Sequence, residues 1–453
     1  MTELRNARHL SVHDLRRRIN EGDVDTVIVA FTDVQGRLQG KRMQASYFAE
    51  HVLDHGTEVP AYLLQVDVAM RVGDRQPPFA PDRSSDDMTL ILDLQTIRLL
   101  DHQPGAVMVQ CDAVWPDQTP VVQSPRAILK QQLSIAADRG YAVLAGIELE
   151  FMAFHTSYED AWNAHYRDLA GVSSYNADHS IVGGSRIEPL LHAIRDTAHT
   201  AGIDVESVKA KRSPGQHEIS FSPQDALTAA DNHVVFKTVA KEIAAQQGQS
   251  ITFIATYQEQ QGNACQIRLS LRGTDARQEF RNNRSRTALY DSFVAGILTT
   301  LPDFTLLYAP NINSYKRFAG HPSEPTSIAR VQDSPTALVR STGRASSVVE
   351  NRVPGSDVNP YLALAAMIAG GFYGIDQELE HDPELMGNAP GSEVFSVPGT
   401  LREASQAFSS SQIARTALGD EVVDHYTATA GLELAAFDAT VTDWELRRGF
   451  ERM

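Results

Sequence analysis

The run GIELEFMAF at 146–154 constrains this chain more than any other segment. In an extended strand alternate side chains share a face. Ile147, Leu149, Phe151 and Ala153 then point one way, and Glu148 and Glu150 the other. The apolar face requires a packed layer beneath it. The other face requires compensation, because two carboxylates roughly 7 Å apart on one strand face repel unless a cation lies between them. From this stretch alone two readings stay open: a bound divalent cation, and a solvated polar face.

Two further segments repeat the pattern. In PGQHEISF (214–221), Glu218 alternates with Ile219 and Phe221. In VVENRVP (348–354), Glu350 and Arg352 share a face. Around them the pattern is α+β, with strands expected at 26–33, 88–94, 106–115, 141–145, 147–154, 216–221, 251–257 and 264–271. Helices are expected at 11–20, from Ser124-Pro125 to Gly140, and at 186–201, 224–247, 286–300, 359–380, 401–408 and 421–442. Ser124 reads as an N-cap with proline in the first turn, and Gly140 as the stop. The proline-bearing stretch 116–124 marks a domain boundary, and 310–347 reads as a long loop of the kind that often carries function.

Composition narrows the classes. The formal net charge of −17 argues against nucleic acid or an anionic membrane as partner. Two cysteines, Cys111 and Cys265, exclude a disulfide scaffold and fit a reducing compartment. There is no signal peptide and no run long enough to span a membrane, so a cytoplasmic location is expected. GRLQGKR (36–42) is one residue short of a phosphate loop and lacks the following Ser or Thr. Cys265 reads as a packed small hydrophobe. Lys237 and Lys241, four apart on a helix, read as a solvated face.

The runs GIELEF (146–151), SPGQHEISF (213–221), NINSYKRF (311–318) and ENRVPGSDVNPYLALAAMIAGG (350–371) together resemble glutamine synthetase. FTDVQGRLQGKR (31–42) and TDWELRRGF (442–450) lean toward the branch that joins glutamate to small amines, such as γ-glutamylethanolamide synthetases. The resemblance implies an N-terminal β-grasp domain at 1–115 and a catalytic domain at 116–453, a sheet funnel flanked by helices. It implies self-association in rings of six or twelve, with acid and amine as small-molecule substrates. It implies ATP as co-substrate and Mg²⁺ or Mn²⁺ held by oxygen ligands, which hard cations prefer. By that resemblance Glu148, Glu350 and the position of Gln266 hold the nucleotide-side metal, and Glu150 and Glu218 the substrate-side metal. Arg317 grips the α-carboxylate, with Gly262 and His217 as substrate contacts. Arg340 and Arg352 face phosphate and the γ-carboxylate. Asp33, from the neighbouring subunit, helps deprotonate the amine.

Several positions depart from the family pattern. Lys211, followed by Arg212, stands where a third carboxylate ligand is expected. In GNACQIRLSL (262–271), Gln266 and Arg268 replace two histidines. Pro335 and Val348 replace two arginines, and the acidic flap residue has only Ser323 and Glu324 near its place. Losing one good electrostatic group in such a site costs on the order of 10²–10³ in rate. Two accounts follow. Lys211 and Arg268 replace metal charge in a metal-poor ligase; or phosphoryl transfer is lost, and the fold serves another reaction, with Lys211 and the glutamates as acid–base groups, or binds a ligand or acts as a structural ring subunit.

Overall fold

The computed structural model describes residues 9–72, 87–258, 261–273, 279–282, 285–318, 327–330, 337–341, 348–380 and 397–453. Among them, six strands form a first sheet: β1 (Thr26–Thr32), β2 (Leu38–Gln44), β3 (Thr57–Pro60), β4 (Asp87–Leu92), β5 (Arg98–Leu99) and β6 (Ala106–Val114). The apolar run of β1 puts it at the centre, antiparallel to β2 and parallel to β6. The β1–β2 turn needs Gly36, whose φ is +79° and whose absent side chain lets the turn approach the Asn359 backbone. Asn359 Nδ2 donates to the carbonyls of Asp33 and Val34, both at 3.2 Å.

The second sheet holds β7 (Tyr141–Phe154), β8 (Val205–Ala210), β9 (Gln216–Phe221), β10 (Gln224–Asp225), β11 (Ser250–Thr252), β12 (Cys265–Gly273), β13 (Ser327–Arg330), β14 (Ala337–Ser341) and β15 (Val349–Asn351). Their order is β13-β14-β15-β12-β7-β9-β8, with β10 and β11 pairing β7. Long β7 is therefore the spine. Its apolar residues Ile147, Leu149 and Phe151 enter the core.

Helices cover that core: α1 (Val12–Glu21), α2 (Pro125–Asp138), α3 (Glu188–Thr200), α4 (Ala226–Gln246), α5 (Ala288–Tyr308), α6 (Ser314–Phe318), α7 (Pro360–Asp376), α8 (Leu401–Ser410), α9 (Gln412–Leu418), α10 (Asp420–Asp438) and α11 (Asp443–Gly449). Helices α5 and α7 touch backbone to backbone: a Cβ on Gly296 would fall 2.2 Å from the Gly370 carbonyl oxygen.

The two sheets are joined by a buried polar network. Arg126 of α2 donates to Asp231 of α4 (3.0 Å twice), to Asp112 of β6 (2.6 Å) and to Asp93 after β4 (2.7 Å). Tyr361 of α7 donates its hydroxyl proton to Asp231 (2.6 Å).

Some expectations are corrected. The helix expected to end near 300 runs through Pro302 to Tyr308, because Leu301, Phe304, Leu307 and Tyr308 bury its far end. The segment 310–347 carries α6, β13 and β14 in its described part, and Ser323, Glu324 and Pro335 lie outside the described residues. The helix expected over 421–442 ends at Asp438, and α11 follows a short break. Among the described residues no helix is long and apolar enough to cross a membrane.

Candidate active site

Pairing register gathers the glutamates that are far apart in sequence. Glu150 of β7 lies opposite Glu218 of β9, and Glu148 opposite Gln266 of β12. Glu350 of β15 lies opposite both Arg268 of β12 and Arg340 of β14. The side chain of Arg340 lies outside the described residues. Glu150, Glu218 and Glu350 are almost completely buried, so each carboxylate requires a partner.

The partners are protein cations. Lys211 Nζ lies 2.9 Å from Glu150 and 2.8 Å from Glu218. Lys209, opposite Glu218 across the strand pair, contacts the other oxygen of Glu218 at 2.7 Å. Arg268 bridges Glu148 and Glu350; its Nε donates to Glu350 at 3.1 Å and its Nη2 to Glu148. Arg352 Nε lies 3.6 Å from Glu350. The Gln266 amide lies against the carboxylates; with its nitrogen turned toward them it donates to Glu350 at 3.1 Å and to Glu148 at 3.3 Å, whereas its oxygen there faces acceptors only. Gln216 donates to Glu150 (3.2 Å) and to the Gly262 carbonyl (2.7 Å), and the Ala264 N–H donates to Glu150 (2.7 Å).

The electrostatics follow from burial opposed by these contacts. Burial raises Lys211's partner Glu150 above the usual carboxylate range, against the pull of Lys211. Burial acts on Glu218 too, but Lys211 and Lys209 outweigh it and hold that carboxyl below its ordinary value. Glu148 is raised by burial, with Arg268 opposing. Burial would lower Lys211, yet Glu150 and Glu218 raise it, which leaves it a firmly protonated ammonium rather than a nucleophile.

The metal expectation meets this geometry badly. The ammonium of Lys211 occupies the space between Glu150 and Glu218, and the guanidinium of Arg268 the space between Glu148 and Glu350. Among the described residues no group of three or more His, Cys, Asp or Glu is arranged to hold a metal ion. In this arrangement the carboxylates are engaged by protein cations.

The other expected residues lie around this cluster. Arg317 is buried and donates to the carbonyls of Val353 and, at 3.5 Å, Arg352. His217 is buried on the opposite face of β9, its Nδ1 3.2 Å from the Gly215 carbonyl and its ring stacked on Phe151 at 5.9 Å. Burial pushes His217 down to about 4, so it is neutral and no surface histidine. Asp33 stays within its own hairpin, accepting from the Gln35 and Arg37 N–H groups and from Arg37 Nε and Gln39 Nε2. Cys265 is fully buried, as its reading as a packed hydrophobe requires, and burial pushes its thiol up to about 12. Of the expected solvated pair Lys241 is exposed, but Lys237 is only partly so, its Nζ donating to the Ser356 carbonyl (2.8 Å), and both ammoniums lie over the Phe253 ring, at 5.4 and 5.8 Å.

Lys209 and Gln216 escaped the sequence reading. The alternation Lys209-Ala210-Lys211 carries the signal, since it puts two lysines on one strand face.

This carboxylate-rich sheet face, with helices behind it, is that of a glutamine synthetase-type catalytic domain. The model of the glutamine synthetase catalytic domain matches residues 122–449, and the chain belongs to that family. It is 47% identical over 445 residues to a γ-glutamylethanolamide synthetase of Streptomyces coelicolor, covering 98% of this chain and 96% of that one. A glutamate–isopropylamine ligase of a Pseudomonas species is 32% identical, with 99% of each chain covered. A solved apo GmaS chain shares the fold, with a TM-score of 0.84 at 22% identity over 97% of this chain and 100% of that one.

Proposed function

We propose that this protein is an ATP-dependent ligase that joins glutamate, or a closely similar acid, to an amine through an amide bond, with Lys211 and Arg268 in the places of metal ions. Two relatives that cover nearly the whole chain are named for joining glutamate to an amine or for the ethanolamide product of such a reaction. The observation that carries the cation replacement is the double ion pair of Lys211 with Glu150 and Glu218.

An ammonium has three donors. Lys211 uses two on its glutamates, and the third is left for an incoming anion. Arg268 has five N–H donors, more than its pairs with Glu148 and Glu350 consume. The four glutamates are met by four cations, Lys209, Lys211, Arg268 and Arg352, so the cluster does not repel an anionic acid. Arginine and lysine are ordinary phosphate clamps. Assembly in rings would bring Asp33 of one subunit to the cluster of the next, and native mass measurement tests that.

A second reading is favoured by the same full engagement of the carboxylates: a homologue without phosphoryl transfer that binds its ligand without turnover. Calorimetric titration of ATP separates the two. With Mg²⁺ and then with EDTA, ATP is expected to bind in both, and phosphate to be released when glutamate and ethanolamine are added. Binding only with Mg²⁺ would remove the cation replacement. No binding in either condition would remove the ligase reading and leave the second.

A further inference from the structure

The lysines over Phe253 line a cavity of about 530 Å³ that shares no side chain with the carboxylate cluster. That volume is within the range of small-molecule sites, roughly 300–1,000 Å³. Its walls come from the β1–β2 turn (Arg37), from α4 (Lys237, Lys241), from α6 and the residues before it, and from α10 (Glu433, Phe437).

Its charge is unbalanced. Arg37 is committed to Asp33 and to the Val68 carbonyl (2.7 Å). Lys237 spends one donor on the Ser356 carbonyl. Lys241 and Lys316 have no ion pair among the described residues. Against these stand two carboxylates. Asp357 already accepts from Asn311 (2.9 Å) and Ser314 (2.6 Å), and the Glu433 carboxyl is raised by burial and by Asp67. Burial, with Lys241 beside it, also lowers Lys237 to about 8.

The lining is two-natured. Lysines offer compact point charges suited to phosphate oxygens. Phe253 lies beneath two of them, and the half-exposed Phe437 and Ile254 offer an apolar wall. We propose that this cavity is a second, non-catalytic site that binds a small phosphomonoester with an apolar or aromatic body, its phosphate between Lys237, Lys241 and Lys316. The site also touches the catalytic strand: Ser356, whose carbonyl holds Lys237, donates its hydroxyl proton to the Glu150 carbonyl at 2.6 Å.

Calorimetry on the full chain at low salt tests this, with phenyl phosphate, inorganic phosphate and benzoate as probes. Phenyl phosphate is expected to bind most tightly. Lys241→Ala and Lys316→Ala, both at exposed positions that do not threaten folding, are each expected to weaken it about tenfold or more, as for loss of one charge-assisted contact. Lys211→Met is expected to leave that affinity unchanged. Phenyl phosphate affinity unchanged from the parent protein in the two exposed-lysine variants, or no binding at all, would overturn the site. A loss confined to Lys211→Met would move the anion to the glutamate cluster and equally overturn it. Benzoate binding as tightly as phenyl phosphate would overturn the phosphate class.

Discussion

Two clusters in this molecule place carboxylates around a cation, and they do different things. Around Arg126 three aspartates, Asp93, Asp112 and Asp231, converge from a loop, a strand and a helix, and the arginine is 2% exposed. Around Lys211 two glutamates converge from adjacent strands of one sheet, and the lysine is 23% exposed. Arg126 is surrounded by the elements it joins, and its guanidinium fork is used on three partners. Lys211 keeps an open side and a spare donor. The same attraction fastens layers in one place and waits for a ligand in the other; exposure and unused hydrogen-bonding capacity separate the roles.

Four variants would break or sharpen that contrast. Arg126→Met removes the ion-pair partner of buried Asp231 and is expected to cost about 3–5 kcal/mol in denaturant unfolding; a loss under about 1 kcal/mol would make Arg126 no fastener. The next effect is one of pH. His217 is held neutral in the fold, at about 4 against an ordinary 6.5. Its folded value is depressed, so its burial is tolerated fully above pH 6.5 and stability is lost as pH falls from 6.5 toward 4. The loss is expected to reach up to about 3 kcal/mol. His9 and His425, also lowered to about 4 by burial, add to that limb, and His217→Gln should make it shallower, not abolish it. An unchanged acid limb would show that His217 is already charged in the fold. The smallest effect is that of Lys211→Met, about 1–3 kcal/mol, because water reaches the site and Lys209 still serves Glu218. In the same experiment Lys211→Glu should turn Mn²⁺ binding from undetectable to measurable. A cost for Lys211→Met equal to that of Arg126→Met would erase the distinction between the clusters.

The glutamates were legible because strand alternation is a local property: Glu148 and Glu150 announce their shared face within one run of residues. Their neighbours were not. That Lys209 meets Glu218, or that Gln266 lies opposite Glu148, depends on the register between strands, which no single run encodes. The Arg126 network was invisible for the same reason, its arginine and Asp231 lying 105 residues apart. Pro302 lies inside a helix that the sequence reading ended near 300. Its local signal to end a helix is real, but burial of Phe304 and Leu307 outweighs it. Lys237 and Lys241 have the spacing of a solvated face, which exposed Lys241 keeps, while the aromatic ring beneath the pair could not be read from that spacing.

The Asn359 clasp on the β1–β2 turn bears on how the chain is made. Its two ends are 326 residues apart, and at roughly 5–20 residues per second the ribosome needs tens of seconds between them. During that interval the first sheet exists without the side chain that fastens its turn. Closing so long a span is slow and entropically costly. The nascent first sheet must therefore stay folded by itself, or be sheltered by a chaperone, until α7 emerges.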